Sequence, residues 1–159
     1  MALRAVFPGT FDPIHYGHID IVRRGCALFD EVIVAVYDRS LKNVLFSSEE
    51  RIELVENAFI KDDKVKIKSY NGLTVDFCSS VDAKIVLRGL RVFSDFEHEF
   101  RMALANRRLA QNIDTVSLIT SEQHTFLSST TVREIASLGG DVSSMVPDFV
   151  QQALEKKLT

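Results

Sequence analysis

Residues 3–18 read Leu3-Arg4-Ala5-Val6-Phe7-Pro8-Gly9-Thr10-Phe11-Asp12-Pro13-Ile14-His15-Tyr16-Gly17-His18. Leu3 to Phe7 is a short run of β-formers that ends at Pro8-Gly9. After His18 the apolar residues Ile19, Val22, Cys26 and Phe29 recur at helical spacing, on one face of a helix running to Phe29. Glu31 to Tyr37 follows, and its Val-Ile-Val-Ala-Val centre predicts a strand buried on both faces. Strand, loop, helix and doubly buried strand form the opening unit of a parallel sheet covered by helices. The loop inside that unit is suited to anions. Gly9 lets backbone approach a ligand closely, Thr10 offers a hydroxyl and an N–H, and Gly17-His18 opens a helix whose free N–H groups and positive dipole end attract negative charge. His18, on the first turn, can donate to a phosphate oxygen, with His15 three residues earlier. No Gly-x-Gly-x-x-Gly is present, which argues against an ordinary dinucleotide site.

The same alternation continues outward. Ser47, three residues before Glu50, is a capping-box start for a helix through about Phe59. Val65–Ser69 predicts a third strand, Thr74–Ser80 a short helix, Ala83–Leu87 a fourth strand, Asp95–Gln111 the longest helix and Thr115–Thr120 a fifth strand. Thr131, three residues before Glu134, caps a further helix that ends at Gly139-Gly140, and Pro147 opens a last one. The order predicts an α/β fold: a Rossmann-like, doubly wound, five-stranded parallel sheet with helices on both faces, in one domain over residues 1–159. Ligands of such sheets bind beyond the carboxyl ends of the strands, and the polar residues cluster there, after strands one, two, four and five.

Bulk properties narrow the field. With 46% hydrophobic and 26% charged residues the chain is an ordinary globular one, and its net charge of -3 gives no support to general nucleic-acid binding. A negatively charged substrate must then be met by local positive groups. Two cysteines, Cys26 and Cys78, are too few for a disulfide framework and are read as reduced, buried thiols of a cytoplasmic protein. Met1 to Pro8 has the wrong length and flanks for a signal peptide. No apolar run reaches the length of a membrane span.

Two further stretches carry chemistry. In Ser128-Ser129-Thr130-Thr131-Val132-Arg133, Ser128, Ser129 and Thr130 place three hydroxyls at a helix start after the fifth strand, a cradle for phosphate. Arg88-Gly89-Leu90-Arg91 follows the fourth strand and sends two planar guanidinium forks toward one cleft, with Asp95-Phe96-Glu97-His98-Glu99 shortly after. Taken singly, the first reads as a capped helix and the second as a solvated charged loop. His15-x-x-His18 lacks a third ligand at clear spacing, so no metal site is expected.

Together His15-Tyr16-Gly17-His18 and Ser128 to Arg133, in that order, resemble the two marks of the nucleotidyltransferase superfamily, His-x-Gly-His and Ser-Ser-Thr-x-x-Arg. The Arg88–Arg91 and Asp95–Glu99 stretches, with the match continuing through Asn106 to Glu134, are similar to the bacterial phosphopantetheine adenylyltransferases over essentially the whole chain. That resemblance implies transfer of AMP from ATP to 4'-phosphopantetheine, giving dephospho-coenzyme A and pyrophosphate, with Mg²⁺ accompanying the triphosphate. It implies ATP contacts from Thr10, Phe11, His18, Gly89, Leu90, Arg91 and Glu99, and from His124, Thr125, Phe126, Leu127, Ser128, Ser129 and Thr130. It implies acceptor contacts from Thr10, Lys42, Leu73, Thr74, Arg88, Met102, Asn106 and Glu134. Catalysis would fall to Thr10, His18, Lys42 and Arg91. A homohexamer and feedback inhibition by coenzyme A are likewise implied. Phe7, the Leu41-Lys42-Asn43-Val44 loop, His98 and His124 depart from the usual family pattern.

The expected reaction is in-line attack of an ionised phosphate on the α-phosphorus of ATP. It needs no general base and no covalent enzyme intermediate; fixed cations and N–H dipoles do the work. The alternatives are another adenylyl- or cytidylyltransferase acting on nicotinamide mononucleotide or a sugar- or glycerol-phosphate, and a non-catalytic nucleotide-binding module on the same fold.

Overall fold

Strands and helices alternate as β1 (Arg4–Gly9), α1 (Tyr16–Leu28), β2 (Glu31–Tyr37), α2 (Ser48–Ala58), β3 (Val65–Tyr70), α3 (Thr74–Ser80), β4 (Ile85–Leu90), α4 (Phe93–Leu109) and β5 (Asp114–Ile119), then α5 (Ser129–Ser137) and α6 (Asp148–Leu158). A 3-10 turn, Glu122–His124, precedes α5. These elements come from a computed structural model that describes residues 1–38 and 43–159. All strand pairs are parallel, in the order β3-β2-β1-β4-β5.

Both sheet faces are buried, as the continuous apolar run of β2 requires. Val32, Val34 and Val36 enter one core with Ile19, Val22, Leu54, Val55, Val150 and Leu154, which come from α1, α2 and α6. The intervening Ile33 and Ala35 enter a second core with Val75 and Cys78 of α3, Val86 and Ile113. Cys26, expected to be buried, is partly exposed; Cys78 is fully buried, and both are free thiols. The Ser47–Glu50 capping box forms in both directions, at 3.2 and 2.8 Å.

The feature that makes room for a site is a parting of two central strands. β1 pairs with β2 along its whole length, from Arg4↔Glu31 to Gly9↔Val36. It pairs with β4 only at Ala5↔Ile85 and Val6↔Val86. Beyond Val6 and Val86 the sheet splits, and this is also where the chain, having run outward through β2 and β3, crosses back to build β4 and β5. Pro8, which has no N–H to give a ladder, sits on β1 just past the split, and its carbonyl accepts from Arg88 Nη1 on β4 at 2.9 Å.

Several boundaries shift by one to three residues from those read in the sequence, and two of the shifts bear on the site. β4 does not stop at Leu87 but continues to Leu90, because β5 pairs Arg88, Gly89 and Leu90 with Ser117, Leu118 and Ile119. Arg88 and Gly89 are therefore strand on one edge and cleft wall on the other. The α5 cap is Ser128, not Thr131: the Ser128 hydroxyl accepts the Thr131 N–H at 3.1 Å and bonds its hydroxyl at 2.9 Å. The helix thus starts three residues earlier. It ends as expected, with Gly139 in the left-handed region at φ +77°.

Candidate active site

The start of α1 is built by its own two histidines. His15 is the N-cap, and its Nδ1 accepts the N–H of Gly17 at 3.0 Å and, more weakly, that of His18 at 3.4 Å. His18 Nδ1 in turn accepts the His15 N–H at 3.1 Å, a capping box made of imidazoles. The rings stack with centroids 3.6 Å apart. Gly17 is obligatory in this arrangement, since a Cβ there would lie 2.9 Å from two atoms of the His15 ring. Each Nδ1 serves as an acceptor, so each ring is neutral with its proton on Nε2. Burial, with the charge of Arg91 beside it, pushes His15 down to about 3. Burial, the neighbouring His15, and then Arg88 and Arg91 hold His18 well below the ordinary histidine value. His18 meets an anion as a fixed neutral donor. It is wedged edge-on against Phe11, centroids 4.9 Å apart, while Phe11 packs on Phe7 at 5.7 Å. Phe11 holds φ at +53°, costly for an aromatic residue.

The two cleft arginines are each aimed by a carboxylate. Arg88 forks onto Glu99 of α4, Nε to Oε2 at 2.9 Å and Nη2 to Oε1 at 2.8 Å. Arg91 donates Nε to Asp95 Oδ2 at 3.0 Å and Nη1 to the Leu127 carbonyl at 2.6 Å. Burial works against the Asp95 carboxylate, but the hydrogen bonds and charge of Arg91 hold its pKa below the usual value. Asp95, expected in a helix turn, therefore ties α4 to the end of β4, and the Leu127 bond ties that point to the segment before α5.

These groups share one open hollow of about 490 Å³ at the split between β1 and β4. Thr10, Phe11, His18, Arg88, Gly89, Arg91, Glu99, Thr74, His124, Leu127, Ser128 and Ser129 all line it. A smaller hollow of about 120 Å³ adjoins it, sharing Pro8, Thr74, Arg88 and Glu99, and it takes in Met102, Asn106 and His98. Leu73, Leu90, Thr125, Phe126, Thr130 and Glu134 line neither, and Phe126, Thr130 and Glu134 face solvent. Lys42 lies outside the described residues.

Several residues that hold the site were not singled out from sequence. Asp12 is buried, and its carboxylate accepts the N–H groups of Leu45 and Phe46 at 2.8 and 2.9 Å. Ser129 donates to the Pro13 carbonyl at 2.8 Å and Arg133 to the Asp12 carbonyl at 2.6 Å, so the second motif fastens directly onto the first. Tyr37 and Tyr70 close the far side of the larger hollow, and Arg51 lies buried behind Thr10. The Asp12-Pro13 turn inside the first motif was the available signal for this loop; Arg51 had none.

Comparison with known proteins agrees with the geometry. The cytidylyltransferase-like family profile matches residues 6–135. A phosphopantetheine adenylyltransferase of Leptospira biflexa is 46% identical over 155 residues, covering 98% of this chain and 97% of that protein. One from Roseiflexus sp. (strain RS-1) is 50% identical over 152 residues, covering 96% and 95%. One from Dictyoglomus thermophilum is 45% identical, covering 98% and 94%. With a shared cleft, both motifs joined to each other and near-complete coverage by such relatives, this chain belongs to the phosphopantetheine adenylyltransferase family within the cytidylyltransferase-like group.

Proposed function

We propose that this protein transfers AMP from ATP to 4'-phosphopantetheine, yielding dephospho-coenzyme A and pyrophosphate, the penultimate step of coenzyme A synthesis. The observation that carries the reading is the convergence of Thr10, His18, Arg88 and Arg91 on one hollow, with a second, smaller hollow opening beside Arg88. The larger space suits the nucleotide. The smaller one, lined by Met102 and Asn106, suits an extended apolar arm that carries amides, with its phosphate at Arg88 between the two.

The acceptor phosphate is ionised near neutral pH and needs no base. His18 cannot serve as one through Nδ1, which already accepts a backbone N–H. Its Nε2–H is left to donate to charge as it develops on the phosphates, and this is worth most at the transition state. Thr10 and the α1 N-terminus position the reacting groups; Arg91 and Lys42 add positive charge. Holding two phosphates in line supplies roughly 7–11 kcal/mol of barrier reduction in favourable cases.

The cleft carboxylates Asp95 and Glu99 are occupied by Arg91 and Arg88, so the described residues do not form a cation cage. Mg²⁺ therefore fits here as a companion of the triphosphate that keeps its own waters and offsets phosphate charge. The reading also includes a homohexamer, supported by the exposed apolar residues of α4. Coenzyme A would compete as an inhibitor for the hollows that hold its precursor, and the protein would work in the cytoplasm. No helix among the described residues is long and apolar enough to cross a membrane.

The direct test mixes the protein with ATP, Mg²⁺ and 4'-phosphopantetheine. Dephospho-coenzyme A and pyrophosphate are expected in equal amounts. Product with nicotinamide mononucleotide or glycerol-phosphate in its place would overturn the assignment.

A further inference from the structure

Arg51 of α2 is the largest fully buried side chain among the described residues, 1% exposed. Every nitrogen of its guanidinium is used. Nε donates to the Phe46 carbonyl at 3.2 Å, Nη2 to the Ser48 hydroxyl at 3.0 Å, and Nη1 to both the Thr10 and Tyr37 carbonyls at 2.8 Å. Thr10 and Tyr37 stand at the carboxyl ends of β1 and β2, so one nitrogen staples two neighbouring strand ends at the rim of the cleft.

What Arg51 lacks is an acid. Among the described residues no carboxylate lies within 4.0 Å of it, and residues 39–42 contain no Asp or Glu. Arg88 and Arg91 each face a carboxylate that partly offsets their charge. Burying a cation without a counter-ion is expensive, and a protein that needed only a strut would do better with neutral groups. The charge lies directly behind Thr10, whose other side lines the hollow. An anion in that hollow would face the guanidinium across Thr10.

We infer that Arg51 is a positioning residue for phosphoryl transfer: its fork sets where Thr10 meets the phosphates, and its buried charge, with no carboxylate in direct contact, adds to the positive field of the cleft arginines. It touches neither substrate. The inference rests on the adenylyl-transfer reading.

The test uses Arg51→Lys, which keeps the charge but not the fork, and Arg51→Met, which loses both. Folding is checked by thermal melting, turnover by pyrophosphate release and ATP affinity by calorimetry. Arg51→Lys is expected to lose at least tenfold in kcat while ATP affinity changes less than threefold, and Arg51→Met at least a hundredfold. In a Thr10→Ala background, Arg51→Lys should cost less than threefold, because the group it positions is gone. A folded Arg51→Lys protein with kcat within threefold of wild type overturns the inference. So does a loss that adds in full to that of Thr10→Ala, or failure of both variants to fold, which would make Arg51 a core strut only. If wild-type protein binds ATP but forms no dephospho-coenzyme A, the function reading falls instead. Arg51 is then judged by the ³¹P resonance of the bound α-phosphate in Arg51→Lys: a shift supports the positioning role, and an unmoved resonance ends it.

Discussion

α1 and α4 both flank the cleft, and they serve it in opposite ways. α1 buries Gly17, Ile19, Ile21, Val22 and Gly25 and presents its N-terminus, capped by His15, to the hollow. α4 buries only Glu99; Phe93, Phe96, Phe100 and Leu104 face outward, Phe93 at 94% exposure. One helix works through its end and is held by the core. The other works through a single carboxylate on its flank and leaves its apolar stripe uncovered within the protomer. Helical periodicity is present in both, so it says where a helix is but not what its apolar side meets.

That contrast can be attacked at four points. The largest effect is expected at the α1 end. His18→Ala should cut kcat on the order of a hundredfold, about 3 kcal/mol, the scale of removing one preorganised donor. ATP affinity measured by calorimetry should fall less than threefold. Equal losses in the two would mean that α1 merely binds.

Next comes acid. His15 is neutral in the fold and titrates at about 3, whereas an unfolded histidine takes up its proton near 6.5. A histidine with a depressed pKa in the fold leaves stability intact above 6.5 and drains it as pH falls toward 3. Between pH 6.5 and 5, His15 alone should remove roughly 2 kcal/mol. His15→Asn keeps a good cap without a titrating ring, so its urea midpoint should decline less over that range. A parallel decline would place the pH sensitivity elsewhere.

On the α4 flank, Glu99→Ala leaves Arg88 partly buried without its partner and should cost about 1–2 kcal/mol in urea unfolding, after discounting for the exposure of Arg88. It should also weaken acceptor binding more than ATP binding. The smallest effect on the fold belongs to the uncovered stripe. Phe96→Ser should change the secondary structure and protomer stability by less than about 0.5 kcal/mol yet lower the sedimentation coefficient. An unchanged assembly would remove α4 from the subunit contact.

Much of this was legible in advance. β2 and α3 were read to the residue, and the Ser47–Glu50 box is set by local spacing alone. The site residues that could be read lie in short strings after strand ends. What escaped is non-local. The extension of β4 through Arg88, Gly89 and Leu90 depends on β5, which pairs through Leu90↔Ile119. The α5 start went to Ser128 because a serine three residues before Thr131 competes with a threonine three before Glu134, and local spacing alone does not rank them. Arg51 sits among Glu49, Glu50, Glu53 and Glu56, a neighbourhood that reads as a solvated helix face. Only its packing against the carbonyls of Thr10 and Tyr37, 41 and 14 residues away, reveals it as interior.

The matched pairs Arg88–Glu99 and Arg91–Asp95 have a kinetic consequence. With those arginines partly offset and the chain at -3, the overall charge of the protein does not favour drawing polyanions in. ATP should arrive by unassisted diffusion, at a rate that added salt scarcely slows, and positive charge should be felt only after contact. An unladen protein of this kind would ignore stray polyanions such as nucleic acid in a crowded solution while holding firmly to the two small molecules that fit.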